Sequence, residues 1–248
     1  MLLAPRRAFA RVEDVAAYGW PLVILIVAVT LIGYATVETG LVDREVDRRV
    51  RARIAEIDKA QRDVVERSEL RELYQQQHKK GDFERLLVRI QVIGAEPLKL
   101  LATLLLIAAV LYGVVALTGR KTEWHTLLTI CIFAGFAELL RLAMLLALML
   151  CFGTLEVDTS LALLVPRLVN GQTVDPQVAA ALVGLLSALD PFRIWFWLLV
   201  VTGLSVTAQL PGWRAWLVCG LCWLLAAGGR CGLAVAAVAA EQGAAASG

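Results

Sequence analysis

Histidine is almost missing from this sequence: among 248 residues only His78 and His125 occur. Both lie in polar stretches, and two imidazoles alone do not make a metal site. No phosphate-cradling loop is present either, because Gly119-Arg120-Lys121-Thr122 lacks the upstream glycine such a loop needs. Nucleophile elbows, HExxH helices and paired catalytic carboxylates are also absent. These gaps weigh against an enzyme, and no catalytic residue, cofactor or metal is assigned. Net charge is only +2, which gives no reason to expect nucleic-acid binding. The five cysteines, Cys131, Cys151, Cys219, Cys222 and Cys231, are odd in number and all apolar in context. That is not a disulfide framework. Cys219 and Cys222 have CxxC spacing, yet they sit in an apolar run that disfavours thiolate, with no histidine nearby.

Charge is missing too, over most of the chain. Between Glu38 and Glu96 stand 13 Lys/Arg and 13 Asp/Glu, so 26 of all 46 charges fall in one stretch. The remainder is nearly charge-free over long runs, in a chain that is 59% hydrophobic with mean hydropathy +0.70. That pattern belongs to polytopic membrane proteins. The fold class expected is all-α: a bundle of five transmembrane helices with an inserted soluble helical hairpin.

The best-marked span begins at Asp190-Pro191, where an aspartate can cap free amides and proline at the first helical position loses no hydrogen bond. About twenty residues follow whose only charge is Arg193. Other spans cover 18–37, Pro97–Leu117, Leu127–Phe152 and Trp213–Ala240. Residues 1–17 form a surface segment, and Ala35-Thr36-Val37 fits signal cleavage poorly. The core therefore covers 97–240, with pieces over 153–189 too short to span and read as interfacial or re-entrant. The tail 241–248 is expected to be disordered.

Residues 38–96 form the charged arm. Val42, Val46, Val50, Ile54, Ile57 and Val64 keep a three-to-four spacing over Leu41–Lys80, with Asp47–Arg51, Asp58–Arg62 and Asp63–Arg67 as supporting pairs. Gly81-Asp82 offers a helix stop followed by a cap. Phe83, Leu86, Leu87, Ile90 and Ile93 then give a shorter stripe. About 39 residues of helix reach ~58 Å while a return of 14 covers ~21 Å. Either the first helix breaks or lies obliquely, or the second runs on into the next span. The hairpin is a solvated domain closing on itself or a docking surface for a partner.

Five spans put the termini on opposite sides. The positive-inside rule gathers Arg6, Arg7, Arg11, Arg120, Lys121 and Arg214 in the cytoplasm. The amino terminus is then cytoplasmic, with the hairpin and carboxyl terminus extracytoplasmic.

Four stretches carry a family resemblance. They are Pro5-Arg6-Arg7-Ala8-Phe9 leading to Trp20-Pro21-Leu22, the charged insert with its Gly81 turn, Gly119-Arg120-Lys121 with Ser160-Leu161-Ala162 downstream, and Leu189-Asp190-Pro191-Phe192-Arg193-Ile194-Trp195 continuing to Gly203-Leu204-Ser205. In these the chain resembles the bacterial branch of the Yip (Ypt-interacting protein) domain family. The resemblance implies a five-helix protein of the bacterial inner membrane, with a cytoplasmic amino terminus and no established enzymatic activity. Eukaryotic members are associated with small GTPases and vesicle traffic. Bacterial ones look like accessory subunits, some tied to MacB-type ABC exporters. A non-enzymatic scaffold or accessory subunit is expected, its partners being the bilayer and either ABC transporter subunits or a periplasmic adaptor.

Glu138, Arg141 and Arg230 depart from that pattern. A charge deep in a bilayer costs ~2.5–3.5 kcal/mol, so each must face the bundle interior or water. One acid and two bases leave a surplus cation that wants an anionic neighbour. Gly228, Gly229 and Gly232 around Arg230 have the spacing for close helix packing. An internal salt bridge is the plain reading. The other readings are a proton, ion or lipid-headgroup site, or a partner that supplies the missing acid; the alternative function is an autonomous transporter of ions or small solutes using these three residues.

Overall fold

Runs of apolar residues bounded by Gly, Pro and Asp become helices here. The computed structural model describes residues 9, 18–61, 67–119, 122–155, 157–165, 175–207 and 210–246. The segment 1–17 apart from Phe9, Val64 with the Asp58–Arg62 and Asp63–Arg67 pairs, Arg120 and Lys121, and the turn over 170–174 lie outside the described residues. In order come α1 (Gly19–Glu38), α2 (Leu41–Gln61), α3 (Arg67–Ile90), a π-helical turn (Gln91–Ala95), α4 (Glu96–Leu117) and α5 (Trp124–Phe152). A 3-10 turn (Leu161–Leu164), α6 (Pro176–Leu186), α7 (Pro191–Thr207) and α8 (Gly212–Ala246) follow.

This is an all-α polytopic membrane bundle. α1, the run Leu70–Leu117, α5 and the Gly212–Ala240 part of α8 are each long and apolar enough to cross. α6 and α7, bent by 50° between them, make a fifth crossing if counted as one span. The stretch from Pro191 does not suffice by itself. α7 holds 17 residues, ~25 Å of helix against a ~30 Å slab, so the missing length comes from α6. The tail is helical to Ala246 instead of irregular. Its Ala-rich composition has the highest intrinsic helix propensity.

Two units are compact in their own contacts. The first comprises Met1–Leu25, Leu101–Arg141 and Asp158–Gly248. Leu25, Leu104, Leu111, Ile130, Val200 and Leu204 are fully buried in it. Gly203 explains how closely α7 approaches α5, for a Cβ there would stand 2.5 Å from Ile130 Cγ2. Phe9 packs edge-on against Phe133, with centroids 6.4 Å apart. The outer side of α8 leaves Trp216, Leu217, Leu221, Leu224 and Leu225 uncovered by protein. Lipid tails solvate such a surface as well as another leucine would.

The second unit, Ile26–Leu100 with Leu142–Val157, holds the charged arm. Gly40, with φ +69°, ends α1 and lets the chain turn into α2. The length mismatch expected from the sequence disappears, because the helix Leu41–Gln61 and the helix Arg67–Ile90 run antiparallel and Gly81 lies inside the second. α2 has 21 residues and α3 has 24, so both legs reach ~31–36 Å. α3 then passes through the π-helical turn into α4, as the second of the two geometric options required.

The antiparallel register is constant along the arm. Asp43 accepts from Arg89, Asp47 from Arg85, and Asp58 from the Tyr74 hydroxyl. Arg49 and Arg53 both reach Glu84. The Asp47–Arg51 pair expected within one helix is not what the Asp47 carboxylate makes; Arg51 donates to the Asp47 backbone oxygen instead. Val42, Val46 and Val50 form the core of the hairpin, backed by Val37, Ile54, Val88 and Leu155. Gly81 stands opposite Val50, whose Cγ2 lies 2.7 Å from where a Cβ would be. So Gly81 is not a helix stop. Two helices this close leave no room for a side chain, and the glycine sits inside α3 for that reason.

The second stripe faces away from α2. With Gly81 and Val88 facing α2, the residues Phe83, Leu86, Leu87 and Ile90 point away, at 62%, 55%, 49% and 58% exposure. The arm thus carries an apolar face that nothing among the described residues covers.

Candidate functional site

The charges of the first unit converge where α5, α7 and α8 meet the break between α6 and α7. Glu138 and Arg141 lie one turn apart on α5. The Arg141 Nε and Nη2 both donate to Glu138 Oε1, at 2.7 and 2.6 Å. Both side chains are largely buried. A helix alone dictates this pairing, since residues three apart share a face.

Asp190 caps the start of α7, its Oδ1 accepting from the Phe192 N–H at 2.8 Å while Oδ2 accepts a hydrogen bond from the Thr159 hydroxyl. It is 1% exposed. Pro191 opens the helix and Trp195 lies half-buried one turn on. Asp158 accepts from the Ser160 hydroxyl at 2.6 Å and the Ser160 N–H at 3.1 Å. Ser160 in turn caps the 3-10 turn by accepting from the Ala162 N–H at 3.2 Å. Burial alone pushes the Asp158 carboxyl up. The hydrogen bonds from Ser160 and from the Thr159 amide, with the Arg141 charge, outweigh it and hold the group below the ordinary carboxylate range.

Arg193 and Arg230 complete the cluster. Arg193 Nη1 donates to the Ser187 carbonyl at 2.6 Å, covering a backbone oxygen that the end of α6 leaves free. Arg230 is fixed from its backbone. At Gly184 of α6 a Cβ would stand 2.9 Å from Cys231 Cα and 3.3 Å from the Arg230 carbonyl, so only glycine admits this approach. Arg230 lies within electrostatic reach of Arg193, Glu138, Arg141 and Asp190.

The structure therefore brings together the three charges singled out in the sequence and adds three more. Asp158 and Asp190 are the anionic neighbours the surplus cation required, and Arg193 is a third base. Three acids meet three bases. Asp158 and Arg193 were not singled out because each stands at a helix boundary, where a charge draws no attention; the signals were the Asp-Thr-Ser cap run and an arginine one turn past Asp-Pro. The glycine expectation fails for packing. A Cβ at Gly228, Gly229 or Gly232 would meet nothing within 4 Å, and the close contact of α8 comes from Gly184 opposite.

Trp124 and Trp213 are exposed at the starts of α5 and α8, with the Arg214 guanidinium over the Trp213 ring at 5.2 Å. Amphipathic aromatics of this kind sit at a membrane interface. Glu138 and Arg141 follow Trp124 by 14 and 17 residues, and Arg230 follows Trp213 by 17. At ~1.5 Å per residue the cluster lies ~21–26 Å from that belt, beyond the centre of a ~30 Å slab. The same count places Cys131 and Cys219 at one shallower level. Among the described residues no group of three or more His, Cys, Asp or Glu is placed to hold a metal ion.

A family model, described as the Yip1 domain, matches residues 1–229. No curated protein and no solved structure matches the chain.

Proposed function

We propose that this chain, which belongs to the Yip1 domain family, serves as a non-enzymatic membrane scaffold whose charged arm docks a partner outside the bilayer. The observation that carries this reading is the uncovered face of α3. Phe83, Leu86, Leu87 and Ile90 expose a contiguous apolar patch, and patches of that kind mark interaction surfaces. A hairpin that only closed on itself would turn these residues toward α2; instead Gly81 and Val88 take that place.

In the cell the chain is an inner-membrane accessory subunit of a MacB-type ABC exporter, contacting transporter subunits or a periplasmic adaptor through the arm. The resemblance read in the sequence supports this partner class. The basic residues flanking the spans support an amino terminus inside, with the arm and carboxyl terminus outside. The bundle holds its own charges in balance, which favours a structural knot over an open conduction path.

Affinity purification of the full chain tests the reading. Wild type should bring down an ATPase-containing complex, and F83S/L87S should lose it while remaining folded. Ion or solute flux through liposomes carrying this chain alone would instead favour the transporter reading built on Glu138, Arg141 and Arg230.

A further inference from the structure

The uncovered stripe on α3 does not stop where the arm does. Phe83, Leu86, Leu87 and Ile90 lead on through Gly94 to Leu98 in steps of three and four, all exposed. A Cβ at Gly94 would meet nothing within 4 Å, which leaves a notch between Ile90 and Leu98.

Depth along this stripe is set from both ends. A Cβ at Gly33 of α1 would stand 2.5 Å from the Val92 carbonyl oxygen, so the two residues lie side by side. α1 meets its first charge at Glu38, five residues beyond Gly33, or ~8 Å of helix. The same climb along the antiparallel neighbour leads from Val92 to Leu87, close to the Asp43–Arg89 pair. α4 gives the other bound. Its apolar run starts at Pro97, after Glu96, which holds the exposed Lys99 at 3.4 Å. The edge of the hydrocarbon layer therefore crosses the stripe between Leu87 and Pro97. Phe83 and Leu86 lie on the aqueous side of both bounds, and Leu98 on the lipid side of both.

No single medium covers such a stripe. Lipid tails end short of Phe83, and a water-soluble partner ends short of Leu98. A helix that crosses the same interface covers both levels with one continuous face. Charge narrows the choice of helix. Lys79 and Lys80, one turn beyond Phe83, are exposed, and neither forms an ion pair among the described residues. The nearby acids are engaged elsewhere, Asp82 by Arg85 and Glu84 by Arg49 and Arg53. A second copy of this chain lying parallel on the stripe would set these lysines against their own equivalents. Carboxylates on a different partner would pair with them.

We propose that the stripe from Phe83 to Leu98 docks a transmembrane helix of another integral membrane protein, with acidic residues on that helix where it leaves the bilayer beside Lys79 and Lys80. This rests on the docking role proposed for the arm and carries the contact down into the bilayer.

Photo-crosslinking in intact cells tests it, with benzoylphenylalanine placed at Phe83 or at Leu98 of the full chain. Both positions are exposed, so neither probe disturbs the packing. Both should form adducts with the same protein, and that protein should stay in the membrane pellet after alkaline carbonate. K79E/K80E should lower both yields about fivefold, equivalent to about 1 kcal/mol for two exposed ion pairs. Yields that this variant leaves unchanged overturn the acidic match. An adduct from Phe83 alone, or one released by carbonate, overturns the inference and leaves the docking role standing. Adducts between two differently tagged copies of this chain overturn it in favour of self-association. Lipid adducts alone at both positions overturn the inference and the docking role together.

Discussion

Replacing Asp190 by alanine removes three contributions at once, and the geometry lets them be separated. The Phe192 N–H loses its cap, worth about 1 kcal/mol at a helix start. The Thr159 hydroxyl loses a charged acceptor, worth about 1.5–3 kcal/mol. The three arginines lose one of their three counter-charges at a position 1% exposed. Together the two hydrogen bonds come to about 2.5–4 kcal/mol, or a fall of roughly 10 °C in melting temperature at about 2–4 °C per kcal/mol for a chain this size. D190N keeps an acceptor for the Phe192 N–H and offers the Thr159 hydroxyl a neutral amide N–H donor in place of the second carboxylate oxygen, so it should fall by less than D190A. Scanning fluorimetry of the purified chain in one detergent measures both. If D190A melts within about 2 °C of wild type, the break between α6 and α7 is not held by this carboxylate. If D190N falls as far as D190A, charge balance holds the break and the two hydrogen bonds contribute little, contrary to the magnitudes above.

Other consequences can be read as directly. G81L should open the arm at a cost of about 1–3 kcal/mol, because Val50 has no space to yield; loss of a cysteine cross-link between positions 47 and 85 would report it. Asp158 is held below the ordinary carboxylate range, so it contributes stability that is fully present above that range and lost as pH falls through its folded value. Melting temperature should therefore drop below about pH 4, and the part owed to Asp158 should vanish in D158N. Alanine at Gly228, Gly229 or Gly232 meets open space, so each variant should melt at or slightly above wild type. A clear loss at any of them would mean that a second chain covers that face. Raising salt from about 0.05 to about 1 M should loosen the exposed Asp43–Arg89 pair more than the Val42–Val46–Val50 core, visible as faster hydrogen exchange at the open end of the arm.

Much of the architecture was legible because water and lipid sort side chains so strictly. The crowding of charge into 38–96 and its near absence elsewhere gave the bundle and the arm together. The boundaries inside the arm were not legible. Gly81 reads as a stop in one dimension, and only the opposing Val50 shows that it is a contact point inside an unbroken helix. Phe83, Leu86 and Leu87 stand at helical spacing, yet spacing cannot say which side the partner helix takes. The same limit applied to Asp47, where a neighbour four residues on looked sufficient and the real partner, Arg85, lies across the hairpin. In the membrane core, Glu138 and Arg141 were found from sequence because charges there are costly. Asp158, Asp190 and Arg193 became visible as their counterparts only when the chain was folded. The glycines of α8 misled for an instructive reason: a small-residue motif permits close contact without saying whether any helix uses it.

A helix that ends inside a bilayer uncovers carbonyl oxygens, and here the one at Ser187 is covered by a guanidinium belonging to the next helix. The corner between α6 and α7 is thereby a fixed elbow and not a hinge. Straightening it would strip the oxygen of its donor and drag a cation away from its counter-charges, both against the cost of exposing them to oil. Whatever moves when this protein meets a partner, that corner travels as one solid piece.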